Sequence, residues 1–158
     1  AASELRAFTT PKGRIIMLKD IELKRYMVQS PVKVQADANL VDAIHLILVN
    51  KISGLCVVDE NNTLIGVLSE TDCLRGVLSA TYNDSGIGTV GEFMTSQNLH
   101  TASPTDQIID VAADMLEKKI RRRPVISNDG KLVGQITIRQ ILRAVKEFSS
   151  PVDRTERD

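Results

Sequence analysis

The chain has 158 residues, of which 42% are hydrophobic and 25% charged, ordinary values for a folded globular protein. Twenty Lys and Arg balance twenty Asp and Glu, and the formal net charge of zero argues against a general nucleic-acid binder, which carries a basic excess. Three Phe, two Tyr and no Trp make a base-stacking platform a poor expectation, and no apolar run approaches the roughly 18 residues of a membrane span.

This length suits one core or two small ones packed together. Cys56 and Cys73 each lie inside an apolar run with no CxxC pair, so both are expected to be buried thiols. Such thiols suit a reducing compartment, and a cytoplasmic location is expected. The start shows no signal peptide, and Ala1 in place of an initiator Met suggests processing or recombinant preparation.

In chain order, residues 1–18 form an N-terminal extension with a breaker cluster around Pro11. In it Ile15-Ile16-Met17-Leu18 is either a strand or an anchor. Lys19 to Met27 reads as a helical turn leading into a first repeat. Pro31-Val32-Lys33-Val34 alternates like a short strand opened by a Pro. Leu40, Ala43, Ile44, Ile47 and Leu48 then form an apolar face of helical period, with Asn39 and Asp42 as a start signal. Gly54 to Asp59 and Leu64 to Leu68 flank Asn61-Asn62 and predict a β-hairpin. A helix from Glu70 to about Ser79 follows, and the Gly-containing stretch 81–89 is the linker.

The pattern then recurs. Gly66 to Leu74 and Gly134 to Leu142 are offset by 68 residues, and repetition on that scale decides the architecture. Ile108, Val111, Ala112, Met115 and Leu116 repeat the first helical face, with Ser103-Pro104 as its expected cap. Val90, Phe93 and Met94 repeat Leu23, Tyr26 and Met27 at an offset of 67. The second hairpin turns at Asn128-Asp129-Gly130, and a last helix runs from Ile138 to about Phe148. Residues 149–158 are charged and read as a frayed tail. Each half therefore reads strand, helix, strand, strand, helix. A unit of about 55 residues rarely buries enough apolar area alone, so the two copies are expected to pack together and to self-associate further.

This order, length and duplication resemble a tandem pair of CBS domains, the Bateman module. The resemblance spans about Lys19 to Phe148, with repeats at 19–80 and 90–148. It rests on the Tyr26-Met27 and Phe93-Met94 lead-ins, the two helical faces, the Gly54-Leu55-Cys56-Val57-Val58-Asp59 run, Pro124-Val125-Ile126, and the Gly66 and Gly134 motifs. Cys56 stands where the family's run has Pro. The fold it implies is α/β (α+β), two pseudo-symmetric β-α-β-β-α repeats packed as one Bateman module. The family is not catalytic. Its pairs bind adenine nucleotides or S-adenosylmethionine in clefts between the copies, and occupancy regulates an attached or partner protein.

The resemblance carries site residues onto this chain. Gly66-Val67-Leu68-Ser69-Glu70-Thr71-Asp72 matches the family's nucleotide motif, which makes Ser69 and Asp72 the expected ribose ligands. A carboxylate can accept both protons of a cis-diol. The bland alternative is that Ser-x-x-Asp is only a helix-capping box, a pattern Thr137-x-x-Gln140 shares. Gln140 replaces the family's Asp in the second copy, so one competent nucleotide site is expected, the other cleft being empty or holding something else. Adenine is expected against Val32, Ile52, Ser53, Gly54 and Leu55, although Ile52 and Leu55 also suit a plain core role. Arg122 and Arg139 are the expected phosphate ligands, the alternative being a solvated basic run. On an extended segment, Arg121 and Arg123 together or Arg122 alone can face a ligand.

His45 and His100 stand apart with no Cys or carboxylate cluster, so no metal is expected. No nucleophile–base constellation, phosphate-cradling glycine loop or HExxH is present, so no enzyme and no catalytic cofactor are expected. The expected partners are an adenine nucleotide or related small molecule, a second copy of the chain and an unidentified regulated protein, with no nucleic acid and no membrane. The alternatives are a ligand-independent dimerisation or interaction module, or a regulatory fragment of a larger enzyme or transporter.

Overall fold

The computed structural model describes residues 7–9, 15–17 and 21–149, with side chains for 21–147. The expected breaker cluster around Pro11 and the tail from Pro151 lie outside the described residues. Ile15–Met17 is a strand, β2, paired antiparallel to β1 (Ala7–Thr9) with Phe8 opposite Ile16. The chain falls into two compact units that do not follow its sequence order.

The first unit comprises Ser30–Thr101 with Ile126–Val133. Its elements are β3 (Lys33–Gln35), α1 (Leu40–Asn50), β4 (Gly54–Val58), β5 (Leu64–Ser69), α2 (Glu70–Tyr82) and α3 (Val90–Phe93). The sheet order is β3-β4-β5, with β3 parallel and β5 antiparallel to the central strand. β4 is buried along its whole length, which explains a continuous apolar run in place of an alternating one. Leu40, Ala43, Ile47, Leu55, Val57, Leu68, Cys73 and Val90 form the core. Asn39 caps α1 as expected, its side chain accepting from the Val41 N–H at 2.8 Å. Leu48, expected on the buried face, is instead 68% exposed, and its repeat equivalent Leu116 is 75% exposed. The buried stripe is narrower than the sequence pattern, ending with Ile47 and Met115. α2 continues three residues past the expected Ser79, to Tyr82.

The hairpin turn is built by Asp59, whose Oδ1 accepts from the Asn61 and Thr63 N–H groups. Asn62 takes the left-handed conformation (φ 64°), and Gly130 does so at the equivalent place in the second hairpin (φ 82°). The second hairpin's turn belongs to this unit: Leu64 N–H donates to Gly130 O, and Leu132 N–H to Asn62 O. Leu132 is buried with Cys56 and Val58.

The second unit holds the segment up to Gln29, Ala102–Val125, and the chain from Gly134. Its elements are a 3₁₀ turn at Leu23–Arg25, α4 (Ile108–Lys118), most of the β6–β7 hairpin (Arg122–Ile126 and Leu132–Thr137) and α5 (Ile138–Ser149). Ile21, Tyr26, Ile108 and Ala144 form its core. Two expectations need correction. The strand expected to open the second repeat is reduced to a single parallel bridge between Ala102 and Val125. The Ser103 N–H is taken by the Asp106 carboxylate at 2.9 Å, and Pro104 has no N–H to give, so the ladder stops there. Ser103-Pro104 is consequently a turn upstream of the helix and not its cap. The N-cap position of α4 is Gln107, and the Ile108 N–H is satisfied by Ile21 O at 2.9 Å.

The lead-ins are exchanged. Val28 and Gln135 trade both backbone hydrogen bonds at 2.8 and 2.9 Å, so the first repeat's lead-in lies on the second repeat's last strand. Val67 and Thr95 do the reciprocal at 2.9 Å. This close approach explains the glycine that opens each motif. A Cβ on Gly66 would sit 2.8 Å from Thr95 O and Met94 Sδ; one on Gly134 would sit 2.8 Å from Val28 O and 2.6 Å from Met27 Sδ. Gly66→Ala and Gly134→Ala should each destabilise the chain by on the order of 1–3 kcal/mol, because backbone cannot yield as a side chain can. Urea denaturation of the two variants checks this, and Gly86→Ala, with open space around its Cβ, is the control.

Candidate functional site

The candidate ribose and adenine residues come from separated parts of the sequence but meet at one end of the three-stranded sheet. Lys33 pairs with Cys56, which brings Val32 beside Leu55. Gly54 pairs with Ser69 across the antiparallel hairpin. The Glu70 N–H donates to Ser53 O at 3.0 Å, fastening the start of α2 to the entry of β4. Val32, Ile52, Ser53, Gly54, Leu55, Ser69 and Asp72 all belong to the first unit. Ser53 is exposed and Ile52 and Val32 are half-buried, whereas Gly54 and Leu55 are buried. Leu55 belongs to the core, with Ile52 and Val32 packed against it.

Ser69 and Asp72 form a complete capping box. Ser69 Oγ accepts from the Asp72 N–H at 3.1 Å, and Asp72 Oδ2 accepts from the Ser69 N–H at 2.9 Å. Asp72 is 7% exposed. Its Oδ1 accepts from Arg75 Nη1 at 3.0 Å. The capping reading of Ser-x-x-Asp is therefore realised in full. Two acceptor oxygens carry about four lone-pair sites, so these two bonds do not exhaust the carboxylate. The second copy keeps half of the arrangement. The Gln140 N–H donates to Thr137 Oγ1 at 3.2 Å, and the Gln140 carboxamide has no hydrogen-bond partner among the described residues.

The candidate phosphate residues belong to the second unit: Arg122 half-buried in β6, Arg139 exposed in the first turn of α5. Within the arginine run, Arg121 is exposed and Arg123 turns inward to 5% exposure. Arg123 Nη2 donates to Asp114 Oδ2 at 2.6 Å, and Lys118 Nζ reaches the same oxygen at 3.0 Å. The hydrogen bond from Lys118, then that from Arg123, hold the Asp114 carboxyl below its ordinary 3.8. This pair was legible only by superposing the repeats: the equivalents of Asp114 and Arg123 are Leu46 and Leu55, so two apolar positions changed together. Cys56 and Cys73 are both buried free thiols, as expected, and burial, then the Asp72 and Glu70 charges, push the Cys73 thiol up. His45 and His100 are exposed, and no group of metal-ligating side chains occurs among the described residues.

The CBS domain family model matches residues 18–79 and 90–147. The chain belongs to the CBS domain family. Its α+β fold is that of tandem CBS pairs: a crystal structure of CBSX2 in complex with AMP aligns with TM-score 0.72 and 32% identity, covering 81% of this chain and 98% of that one. In sequence, chloroplastic CBSX2 of Arabidopsis thaliana is 29% identical over 147 residues, 77% of this chain and 61% of that protein. Inosine-5'-monophosphate dehydrogenase of Aquifex aeolicus is 38% identical over 121 residues, 76% of this chain. The chain spans only 24% of that dehydrogenase.

An Asp114→Leu/Arg123→Leu double variant would restore the first repeat's pair of residues. It should lose less stability than Asp114→Leu alone, which strands the buried Arg123 guanidinium, whereas Arg123→Leu leaves Asp114 its bond from Lys118. Because the Asp114 carboxyl is held down in the fold, its contribution is present above the ordinary carboxylate range and is lost as pH falls through 3.8 and below. Acid titrations of wild type and Asp114→Asn, followed by circular dichroism, should differ in that window and converge below it.

Proposed function

We propose that this chain is a non-enzymatic regulatory module that binds an adenine nucleotide, AMP, ADP or ATP, or S-adenosylmethionine, and transmits its occupancy to a protein partner. The observation that carries this reading is the convergence of Ser69, Asp72, Gly54 and Val32 at one sheet end, on the motif that the family uses for ribose. The AMP bound by CBSX2, a fold relative at 32% identity, supports the ligand class. In this reading the ribose diol donates to the Asp72 carboxylate, and Ser53, Gly54 and Val32 border the base with Ile52 and Leu55 as its apolar wall. Arg122 and Arg139 are the phosphate ligands of the same proposal.

Binding asks Asp72 to share an oxygen that Arg75 now holds. The Arg75 side chain is 62% exposed while that of Asp72 is 10% exposed, so the guanidinium can turn into solvent as the ribose hydroxyls replace its bond to the carboxylate. The capping bonds can stay in place. A ligand shifts the module between arrangements only by its differential affinity for them.

Calorimetric titration with AMP, ATP and S-adenosylmethionine tests the assignment. Wild type should bind at least one of them, Asp72→Ala should weaken binding about tenfold or more, and Arg75→Ala should bind as well as wild type. Losing the cap costs Asp72→Ala on the order of 1 kcal/mol of stability, so its melting curve must accompany the titration. Retained affinity in a folded Asp72→Ala would remove the ribose role.

A second reading, a self-associating interaction module, is favoured by one observation. Val41 and Leu48 on α1 and Leu74, Leu78 and Tyr82 on α2 are exposed apolar side chains at helical spacing. In this reading the face joins two copies into a homodimer. Light scattering should show a dimer for wild type and a monomer for Leu48→Glu/Leu74→Glu, whether or not nucleotide is present.

A further inference from the structure

A cavity of about 290 Å³ lies within the second unit, bounded by Arg25, Tyr26, Met27 and Val28 of the lead-in and by Gln140, Arg143 and Glu147 of α5. None of the expected adenine, ribose or phosphate residues lines it. Its chemistry becomes clear beside the same positions in the first repeat. There Asp72 and Arg75 make an ion pair three residues apart on the helix. Their equivalents are Gln140 and Arg143. Replacing the carboxylate by an amide removes the internal anion but keeps the guanidinium. Arg143 accordingly has no ion pair or hydrogen bond among the described residues.

The lead-in reinforces the difference. Arg25 occupies the place that Glu92 holds in the other lead-in. The first repeat therefore has two carboxylates and one guanidinium at these positions, Asp72, Glu92 and Arg75. The cavity gathers two guanidiniums and one carboxylate. That carboxylate, Glu147, is engaged: its Oε2 accepts from the Tyr26 hydroxyl at 2.8 Å, and Tyr26 is itself buried. Arg25 lies against the Tyr26 ring, its guanidinium carbon 5.8 Å from the centroid. The Gln140 amide and the Arg143 guanidinium also face the space, neither side chain with a hydrogen bond among the described residues.

We propose that this cavity is an oxoanion site, in which an external phosphate-type group takes the place of the carboxylate missing at position 140. The guanidinium of Arg143 supplies a planar fork of donors, Gln140 adds an amide N–H, and Arg25 adds positive charge from the opposite wall. The volume is at the lower end for ligand pockets, which suits a small oxoanion or one terminal phosphoryl group over a whole nucleotide. The site is separate from the proposed ribose site, so the two can fail independently.

Titration of the full chain with inorganic phosphate at constant ionic strength, followed by calorimetry, tests the site; AMP and adenosine are the further probes. Phosphate should bind saturably, and Arg143→Gln should weaken it about tenfold or more. Gln140→Asp should weaken it comparably, because a restored carboxylate competes from within. Asp72→Ala should leave phosphate binding unchanged. In the Asp72→Ala background adenosine should not compete. AMP binding there as tightly as phosphate marks a site for the free anion, and tighter binding marks a phosphoryl group carried on a larger molecule. Arg143 is exposed on α5, so its variant is expected to fold, with melting curves as the check. No saturable phosphate binding, binding unaltered in both Arg143→Gln and Gln140→Asp, or binding lost in Asp72→Ala would overturn the proposal.

Discussion

Four backbone hydrogen bonds, two between Val28 and Gln135 and two between Val67 and Thr95, define how this chain is put together. Each pair joins the lead-in of one repeat to the last strand of the other, and each depends on a glycine next to the contact. Because Gly66 and Gly134 lack a Cβ, the incoming backbone can reach the strand and the methionine of each lead-in can cover it. The remaining features follow from that junction. The strand leads straight into a helix, so the residues at the helix start, Ser69 and Asp72 or Thr137 and Gln140, are fixed in space relative to it. Site chemistry is therefore placed by backbone geometry, and the two repeats are free to differ only in side chains.

They differ in a consistent direction. The first repeat has an acidic residue at the helix start, an internal ion pair to Arg75, and an apolar pair, Leu46 and Leu55, in the corresponding strand and helix. The second has an amide at the helix start, an Arg143 with no ion pair among the described residues, and a charged pair, Asp114 and Arg123. A duplicated scaffold with two identical sites would keep the same charges in both. At the helix start the carboxylate belongs to the first repeat and an amide stands in its place in the second, the division that accords with the proposal of two sites for different chemical groups.

Much of this was legible from the residues alone. The 68-residue offset, both helical faces, both hairpins and the capping pattern depend on local periodicity and turn chemistry, which a sequence states directly. Even the positive-φ place in each hairpin turn matched, Asn62 in one copy and Gly130 in the other. What was not legible depends on partners distant in sequence. The burial of Leu48 and Leu116 was overestimated because helical spacing cannot say where the covering layer ends. Ser103-Pro104 resembled a cap because its composition is that of one, but the backbone bonds of Ala102 and Asp106 had already committed the segment to a turn. Arg123 looked like a surface cation until Asp114, nine residues before it, supplied a partner for its buried guanidinium. Of the candidate site, Val32, Gly54, Ser69 and Asp72 lie at one end of the first repeat's sheet, whereas the Arg25–Arg143 cavity needed the comparison of one copy with the other.

The exchange of lead-ins also bears on how the protein is made. In synthesis, residues around Leu23 and Val28 leave the ribosome well before the segments they pair with, near Asp106 and Gln135. Long-range pairing of this kind raises contact order and delays closure. The sheet around β4 can assemble once Thr95 is available, while the other unit must wait for the segment from Gly134 onward. Until those later segments are made, the apolar side chains of Ile21, Leu23 and Tyr26 lack the partners that bury them in the finished fold.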